Sequence, residues 1–372
     1  MCTCITFINV LDCVEVRKKT FFMKSPDLLE YSQQELQELM VSLGQPGFRA
    51  KQVYRQLYVN LVDSVSDMSD LPKSLREELD ARYRIGSLEL VKVFTGDNGM
   101  TSKAVWHLPG GEAIESVLMV YKERATVCVS SQAGCPMGCV FCATAKLGFL
   151  QDLTPGQIAQ QVLWAARELR AINEQRRLSN VVFMGMGEPF NNYDAWWQSV
   201  ERLHDPVGFN LGARSFTVST VGLIPGIEKL AEEHLPINLA VSLHTAYDDR
   251  RSALMPVNRK YPIADLIAAS RAYAAKTGRR VSFEYCLIKG ENDSGEEANA
   301  LADLLLAERF PCHVNLIPWN PVSGTGLERS TRDSVNRFKG LLDDRGVPCT
   351  IRIQRGVDID AACGQLAGVH SG

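Results

Sequence analysis

Residues 128–145 read CVSSQAGCPMGCVFCATA and hold four of the chain's 11 cysteines. Cys135, Cys139 and Cys142 form a C-x3-C-x2-C array, and Cys128 stands seven residues before the first of them. From this stretch onward the chain alternates between two patterns. Apolar, β-branched runs occur at 125–131 (ATVCVSS), 180–187 (NVVFMGMG), 215–222 (SFTVSTVG), 237–244 (INLAVSLH), 281–288 (VSFEYCLI), 312–318 (CHVNLIP) and 349–355 (CTIRIQR). Between them lie segments with helical spacing, such as 155–172 (PGQIAQQVLWAARELRAI) and 263–277 (IADLIAASRAYAAKT). Repeated βα units with apolar strands predict a parallel sheet with helices outside. Six or seven such units are too many for a small open sheet and fit a full or partial (β/α) barrel, whose site lies at the strand C-termini. Glu188, Ser219, Ser242, His244 and Asn320 fall at those ends.

The first third of the chain reads differently. Residues 25–44 and 45–60 predict two helices, the first ending at Gly44, and 71–83 a third with Pro72 near its start. Residues 87–121 then carry short β segments separated by the turns GDNG and GG. The expected organisation is an N-terminal extension over 1–25, a helical accessory domain over 26–86, a β-hairpin extension over 87–125 and the barrel over 126–372.

Bulk composition excludes little. Net charge is −3, so a nucleic-acid partner would need a local basic patch. Hydrophobic residues make up 45% and charged residues 22%, as in an ordinary globular protein. No apolar run reaches the roughly 18 residues that span a bilayer. The opening MCTCITFINVLDCVEVRKKTFF lacks a basic segment ahead of its apolar part and reads poorly as a signal peptide, and Met23 is an equally good start. Cytoplasm is the expectation, where thiols stay reduced unless they bind metal or do redox work.

The cysteine array admits several readings. Structural zinc with Cys128 as fourth ligand is one, but such sites usually come as two ligand pairs with a long spacer. A thioredoxin-like pair from Cys139 and Cys142 ignores Cys135. An iron–sulfur cluster suits clustered thiolates best, and three ligands would leave one iron open to a cofactor or substrate.

At this point the sequence resembles the radical S-adenosylmethionine (SAM) enzymes: the array, with Phe141 before its last cysteine, follows the first strand of a βα barrel. MGMGEPFNN (184–192), INLA, VSTVGLIPGI, VSLH, NLIPWNP (315–321) and GVDIDAACGQLAG (356–368) together resemble the RlmN/Cfr family of RNA adenosine methyltransferases, over nearly the whole chain from about residue 26. The resemblance implies a partial (β/α)6 barrel, a [4Fe-4S] cluster on Cys135, Cys139 and Cys142, and two SAM molecules per turnover. It implies that Cys363 carries a methyl group from SAM, that its methylene radical adds to C2 of adenosine in 23S rRNA or beside the tRNA anticodon, and that Cys128 frees the product by forming a transient disulfide with Cys363. Glu115 would remove the C2 proton, its plain alternative being a solvated strand carboxylate. Gly187, Glu188, Ser219, Ser242, Leu243, His244 and Asn320 would contact SAM, and Glu188 would take its ammonium. An electron donor such as flavodoxin, no membrane and a monomer complete the expectation.

Two other functions compete: C8 methylation by the Cfr branch, and a non-catalytic RNA-binding protein that keeps a cluster. GEPFN and IPWNP favour the C2 branch, and the presence of both Cys128 and Cys363 speaks against an inactive relative. For RNA, the sequence offers Arg49, Lys51 and Arg55 interleaved with Phe48, Tyr54 and Tyr58, either a solvated helix face or a surface for stacking unpaired bases. Cys2, Cys4, Cys13, Cys286, Cys312 and Cys349 are expected to pack or to have no role, with Cys286 and Cys349 buried in strand patterns.

Overall fold

A computed structural model describes residues 25–367, so nearly all of the N-terminal extension, with Cys2, Cys4, Cys13 and Met23, lies outside the described residues. The first helical stretch divides in two. Leu28–Glu30 is a 3-10 turn, and a separate α-helix runs Gln33–Ser42. Capping chemistry makes the break. The Asp27 carboxylate accepts from Leu29 N–H at 2.9 Å, and Ser32 with Glu35 closes a capping box that starts a new helix. The second helix runs Arg49–Arg55 and continues as a π-helical turn over Gln56–Asn60, ended by Leu61 at φ 61°. The third runs Lys73–Arg82.

Tyr54 and Tyr58 face inward from the second helix, both about 1% exposed, with ring centroids 4.6 Å apart. This corrects the expectation that they could stack RNA bases. Only Phe48, Lys51 and Arg55 of that group are exposed, while Arg49 is half-buried. The helical region is seated on the barrel by Arg202, which donates to the carbonyls of Leu29 (2.6 Å) and Glu30 (2.7 Å). Such charge-assisted bonds contribute about 1.5–3 kcal/mol each.

One ten-stranded sheet carries the rest. Strands β1 (Glu89–Gly96), β2 (Thr101–His107) and β3 (Ala113–Val120) form an antiparallel meander. β3 pairs antiparallel with β4 (Ala125–Cys128), the first barrel strand. A short antiparallel pair, β5 (Gln132–Gly134) and β6 (Phe149–Asp152), frames the cysteine loop. The parallel strands then follow in chain order: β7 (Asn180–Phe183), β8 (Phe216–Thr220), β9 (Asn238–Ser242), β10 (Val281–Leu287), β11 (Cys312–Pro318) and β12 (Cys349–Ile351). Helices cross between successive strands, the longest being Pro155–Ile172. The parallel strands β4 and β7–β12 form the expected partial barrel, and the whole mixed sheet runs from edge β1 to edge β12. The chain after β12 returns to β1, where Asp97 accepts from Gly356 N–H at 2.8 Å and Asp358 accepts from Asp97 N–H at 3.1 Å. Among the described residues no helix is long and apolar enough to cross a membrane.

Asp27 also accepts from Gly86 N–H at 2.8 Å, joining both ends of the helical region. Asp27→Ala removes this acceptor and the cap together, and chemical denaturation should record a loss of about 2 kcal/mol. Burial raises the Asp27 carboxyl from 3.8 to about 6. The fold therefore binds this proton more tightly than the unfolded chain does. Its stabilising contribution is complete below about pH 4 and is lost as pH rises through about 6, a slope the Ala variant should lack.

Candidate functional site

The cysteine loop is shaped by close backbone contacts. Gly134 at φ 68° lies where a Cβ would fall 1.9 Å from the Gly148 carbonyl, so only glycine lets β5 and β6 meet there. Cys135 N–H donates to that carbonyl at 2.7 Å, and Cys142 N–H donates to Cys139 O at 3.2 Å. Phe141 is buried with Cys139, Met255, Cys286 and Trp319 in a small apolar cluster, and its carbonyl accepts from Trp319 Nε1 at 3.1 Å. Among the described residues no three Cys, His, Asp or Glu side chains draw together tightly enough to share one metal ion. Burial, then the neighbouring Cys142 and Cys135, push the Cys139 thiol well above its usual range. Holding these sulfurs as thiolates therefore requires a cation among them.

All three cysteines line a cavity of about 440 Å³ that reaches from the C-terminal ends of the parallel strands down to Thr126, Asn180 and Thr217 near their starts. Gly187, Glu188, Ser219, Ser242, His244, Asn320, Cys128 and Cys363 line it too. The turn after β7 is fastened to the segment leading into the cluster loop: Glu188 N–H donates to Gln132 Oε1 at 2.8 Å and Met186 N–H to Ser130 Oγ at 2.9 Å. Gly187 adopts φ 99°, and a Cβ there would meet Gln132 at 2.6 Å. Glu188 is 2% exposed, and its carboxylate accepts from the N–H groups of Val221 (2.8 Å) and Phe190 (3.1 Å). Burial still raises it to about 7, so a cationic ligand would find a group ready to ionise for it.

His244 sits at φ 63°, its carbonyl held by Asn292 Nδ2 at 2.6 Å. Its Nδ1 accepts from Cys286 N–H at 2.9 Å, which leaves the proton on Nε2. Burial lowers its pKa to about 3, so it is a neutral donor. Leu243 is placed differently: its side chain is buried, its N–H donates to Glu284 O at 3.1 Å and its carbonyl accepts from Arg251, so it does not reach the cavity. Asn320 spends its amide on the Cys363 carbonyl at 3.0 Å.

The segment bearing Cys363 is held from four sides. Gly364 O accepts from Ala143 N–H at 2.8 Å and Leu366 O from Thr144 Oγ1 at 2.6 Å, both just past the last cluster cysteine. Lys103 Nζ donates to Asp360 O at 3.3 Å, and Ala367 N–H donates to Glu115 at 3.1 Å. Lys103 and Glu115 form an ion pair at 3.2 Å with side chains 4% and 1% exposed. Glu115 is therefore no solvated strand carboxylate; it lies behind the Cys363 segment and does not line the cavity. Cys128, on β4, and Cys363 are close enough that a charge on Cys363 raises the Cys128 thiol. Burial and that charge take Cys128 to about 12. Water reaches Cys363 through the cavity, but protein encloses it elsewhere. That enclosure, with Glu284 and Cys142 near it and Arg352 opposing them, sets its thiol at about 11.

Sequence reasoning missed three groups. Glu284 is a cavity carboxylate accepting from Asn315 Nδ2 at 2.7 Å. Arg251, wholly buried, ties the strand ends together by donating to the carbonyls of Val221 (2.7 Å), Ser242 (2.8 Å) and Leu243 (3.1 Å). Cys286, expected merely to pack, also lines the cavity. Glu284 falls on the same strand parity as Ser282, a polar alternation that could have flagged it; nothing local marked Arg251.

Comparison with known proteins agrees with this geometry. Residues 129–304 match the radical SAM superfamily and residues 26–85 the ribosomal RNA large subunit methyltransferase N-terminal domain. A probable dual-specificity RNA methyltransferase RlmN of Chloroflexus aurantiacus is 60% identical over 94% of this chain and 95% of its own. A protein of the same name from Roseiflexus sp. is 55% identical over 93% of this chain and 97% of its own. The crystal structure of a radical SAM methyltransferase from Sphaerobacter thermophilus superposes with a TM-score of 0.89 at 47% identity, over 92% of this chain and all of that one.

Two outcomes follow from the thiols and the clamp. In cluster-free protein at pH 8, alkylation of Cys363 should run on the order of 100-fold slower than for an ordinary thiol and quicken up to about pH 11, with Cys128 slower still. Lys103→Met strands a buried carboxylate and should cost about 3–5 kcal/mol, with proteolysis reaching the 360–367 segment sooner; Lys103→Met with Glu115→Leu should recover most of that loss.

Proposed function

This chain belongs to the RlmN family of radical SAM RNA methyltransferases, and we propose that it methylates C2 of an adenosine in 23S rRNA and of the adenosine beside the anticodon in tRNA. Adenine C2 lies between two ring nitrogens and is too electron-poor to attack a methyl sulfonium. A carbon radical can add to it.

In this reading Cys135, Cys139 and Cys142 hold a [4Fe-4S] cluster, and Glu188 receives the ammonium of SAM, with Ser219, Ser242 and the Nε2–H of His244 around it. When bound, cluster and SAM supply a carbon radical that accepts hydrogen. Cys363 first takes a methyl group from one SAM by displacement, and a second SAM is consumed in activating it. Once the Cys363 methylene carbon is bonded to C2, the ring carries an unpaired electron. A base must take the C2 proton, and that electron must pass to an acceptor, the cluster when bound, leaving a closed-shell thioether. Glu115 is proposed as the base, which requires Ala367 to lift off its carboxylate. The Cys128 thiolate then attacks the Cys363 sulfur. An S–S bond forms, the C–S bond breaks, and its electron pair goes to the methylene carbon on C2, which takes a proton to become the methyl group. The disulfide is reduced by a cellular dithiol before the next turnover. A flavodoxin-like electron donor, a cytoplasmic location and a monomer belong to the same proposal.

The observation that carries this reading is that Cys128 and Cys363, distant in the chain, line one cavity with the three clustered cysteines. Anaerobically reconstituted enzyme should hold about four irons, and alanine at Cys135, Cys139 or Cys142 should abolish most of that. Cys128→Ala, given SAM, reductant and RNA, should accumulate RNA covalently attached at Cys363, a shifted band that survives denaturation and vanishes with nuclease. Cys363→Ala, alone or with Cys128→Ala, should give no adduct. Nucleoside mass mapping should place the methyl on C2, and a C8 product would assign the chain to the Cfr activity instead. Normal turnover by Cys128→Ala would overturn the disulfide step.

A further inference from the structure

We propose that Tyr121, Arg124 and Arg355 at the cavity mouth form a subsite for the unpaired RNA strand next to the reacting base, with the guanidiniums on phosphates and the aromatic–guanidinium platform against a neighbouring base. The proposal rests on the reading that the base reacts inside the cavity.

Three observations carry it. First, these residues come from the two sides of the open barrel. Tyr121 and Arg124 lie at the tight turn between β3 and β4, closed by Tyr121 N–H donating to Arg124 O at 2.8 Å, while Arg355 follows β12. All three line the cavity that holds Cys128 and Cys363. Second, both guanidiniums lie over the Tyr121 ring, Arg124 at 4.5 Å and Arg355 at 5.2 Å from its centroid. Such planar, weakly hydrated cations on an aromatic face match phosphate and stacked bases better than lysines would. Third, no ion pair among the described residues uses Arg124 or Arg355; the nearby carboxylate of Glu123 is paired with Lys122 at 3.9 Å. Arg355 Nε is buried and makes no hydrogen bond. Ile353, 80% exposed between Arg352 and Arg355, adds an apolar surface at the same rim. A target adenine must leave its stack to reach C2, so the flanking strand must be held open at this entrance. An acidic electron-donor protein would also be drawn to arginines, but it has no need of groups that face into the cavity.

The test uses cluster-loaded enzyme with a fluorescein-labelled unmodified tRNA transcript and a labelled 23S rRNA fragment, with anisotropy measured over a salt series. Arg124→Gln with Arg355→Gln should weaken binding tenfold or more and reduce the slope of log affinity against log salt by about 1.4, roughly 0.7 per phosphate contact on a single strand. Tyr121→Ala should weaken binding with little change in slope, whereas Arg355→Lys should keep the slope but lose affinity. KM for RNA should rise more than kcat falls, while cluster absorption and SAM affinity stay at wild-type values. Unchanged RNA affinity and slope in the double variant would overturn the proposal, and so would slower cluster reduction by flavodoxin with RNA binding intact. Cys363→Ala separates this from the parent reading: it should bind RNA as wild type does, so a failure of the thiol chemistry leaves the binding result standing.

Discussion

The placement of Cys363 depends on a sheet that does not close. Had β12 paired with the first strand, the chain after it would have run over the outside of a barrel. Instead the edges β1 and β12 stay apart, and residues 356–367 cross between them. Every main-chain group that this segment buries needs a partner. The partners come from the meander (Asp97, Lys103, Glu115), from β11's end (Asn320) and from the residues just past Cys142. The loop that would hold the cluster and the loop that carries Cys363 therefore share hydrogen bonds, and disorder in one removes supports from the other.

The meander thus has a structural duty that its position in the chain does not suggest. Lys103 and Glu115 stand on adjacent strands, buried against each other, and each also holds one end of the Cys363 segment. A buried pair of this kind contributes little net stability, because desolvation offsets the attraction, but the loss of one partner is costly. It specifies one arrangement of the segment rather than strengthening the fold as a whole.

Inside the cavity the low-polarity walls set the chemistry. Burial raises Glu188 to about 7 and lowers His244 to about 3, so desolvation opposes charge on both groups. The same effect keeps the thiols protonated. Fixed donors such as Val221 N–H and Phe190 N–H are already aimed at the carboxylate that would receive a cation. Two arginines, Arg124 and Arg355, lie over the Tyr121 ring on the lining of the same cavity.

Much of this was legible in the sequence. The alternation of β-branched runs with amphipathic segments determined a parallel αβ sheet, since strand and helix periods differ and cannot be exchanged. The C-x3-C-x2-C spacing marked three of the cysteines, because local spacing survives in one dimension, while Glu188 and Cys363 were marked by the resemblance of GEPFN and GVDIDAACGQLAG to the family's motifs. What the sequence could not determine was which residues meet. Tyr54 and Tyr58 looked like a stacking surface until the packing of the second helix turned them inward. Glu115 was expected to take the C2 proton or else to be solvated, and strand parity does not reveal that a distant segment covers that face. Arg251, Glu284 and the Tyr121–Arg124–Arg355 rim join residues separated by many elements, and no local pattern encodes such contacts. Only closure of the chain in three dimensions sets their desolvation, their partners and the single cavity that brings Cys128 and Cys363 together.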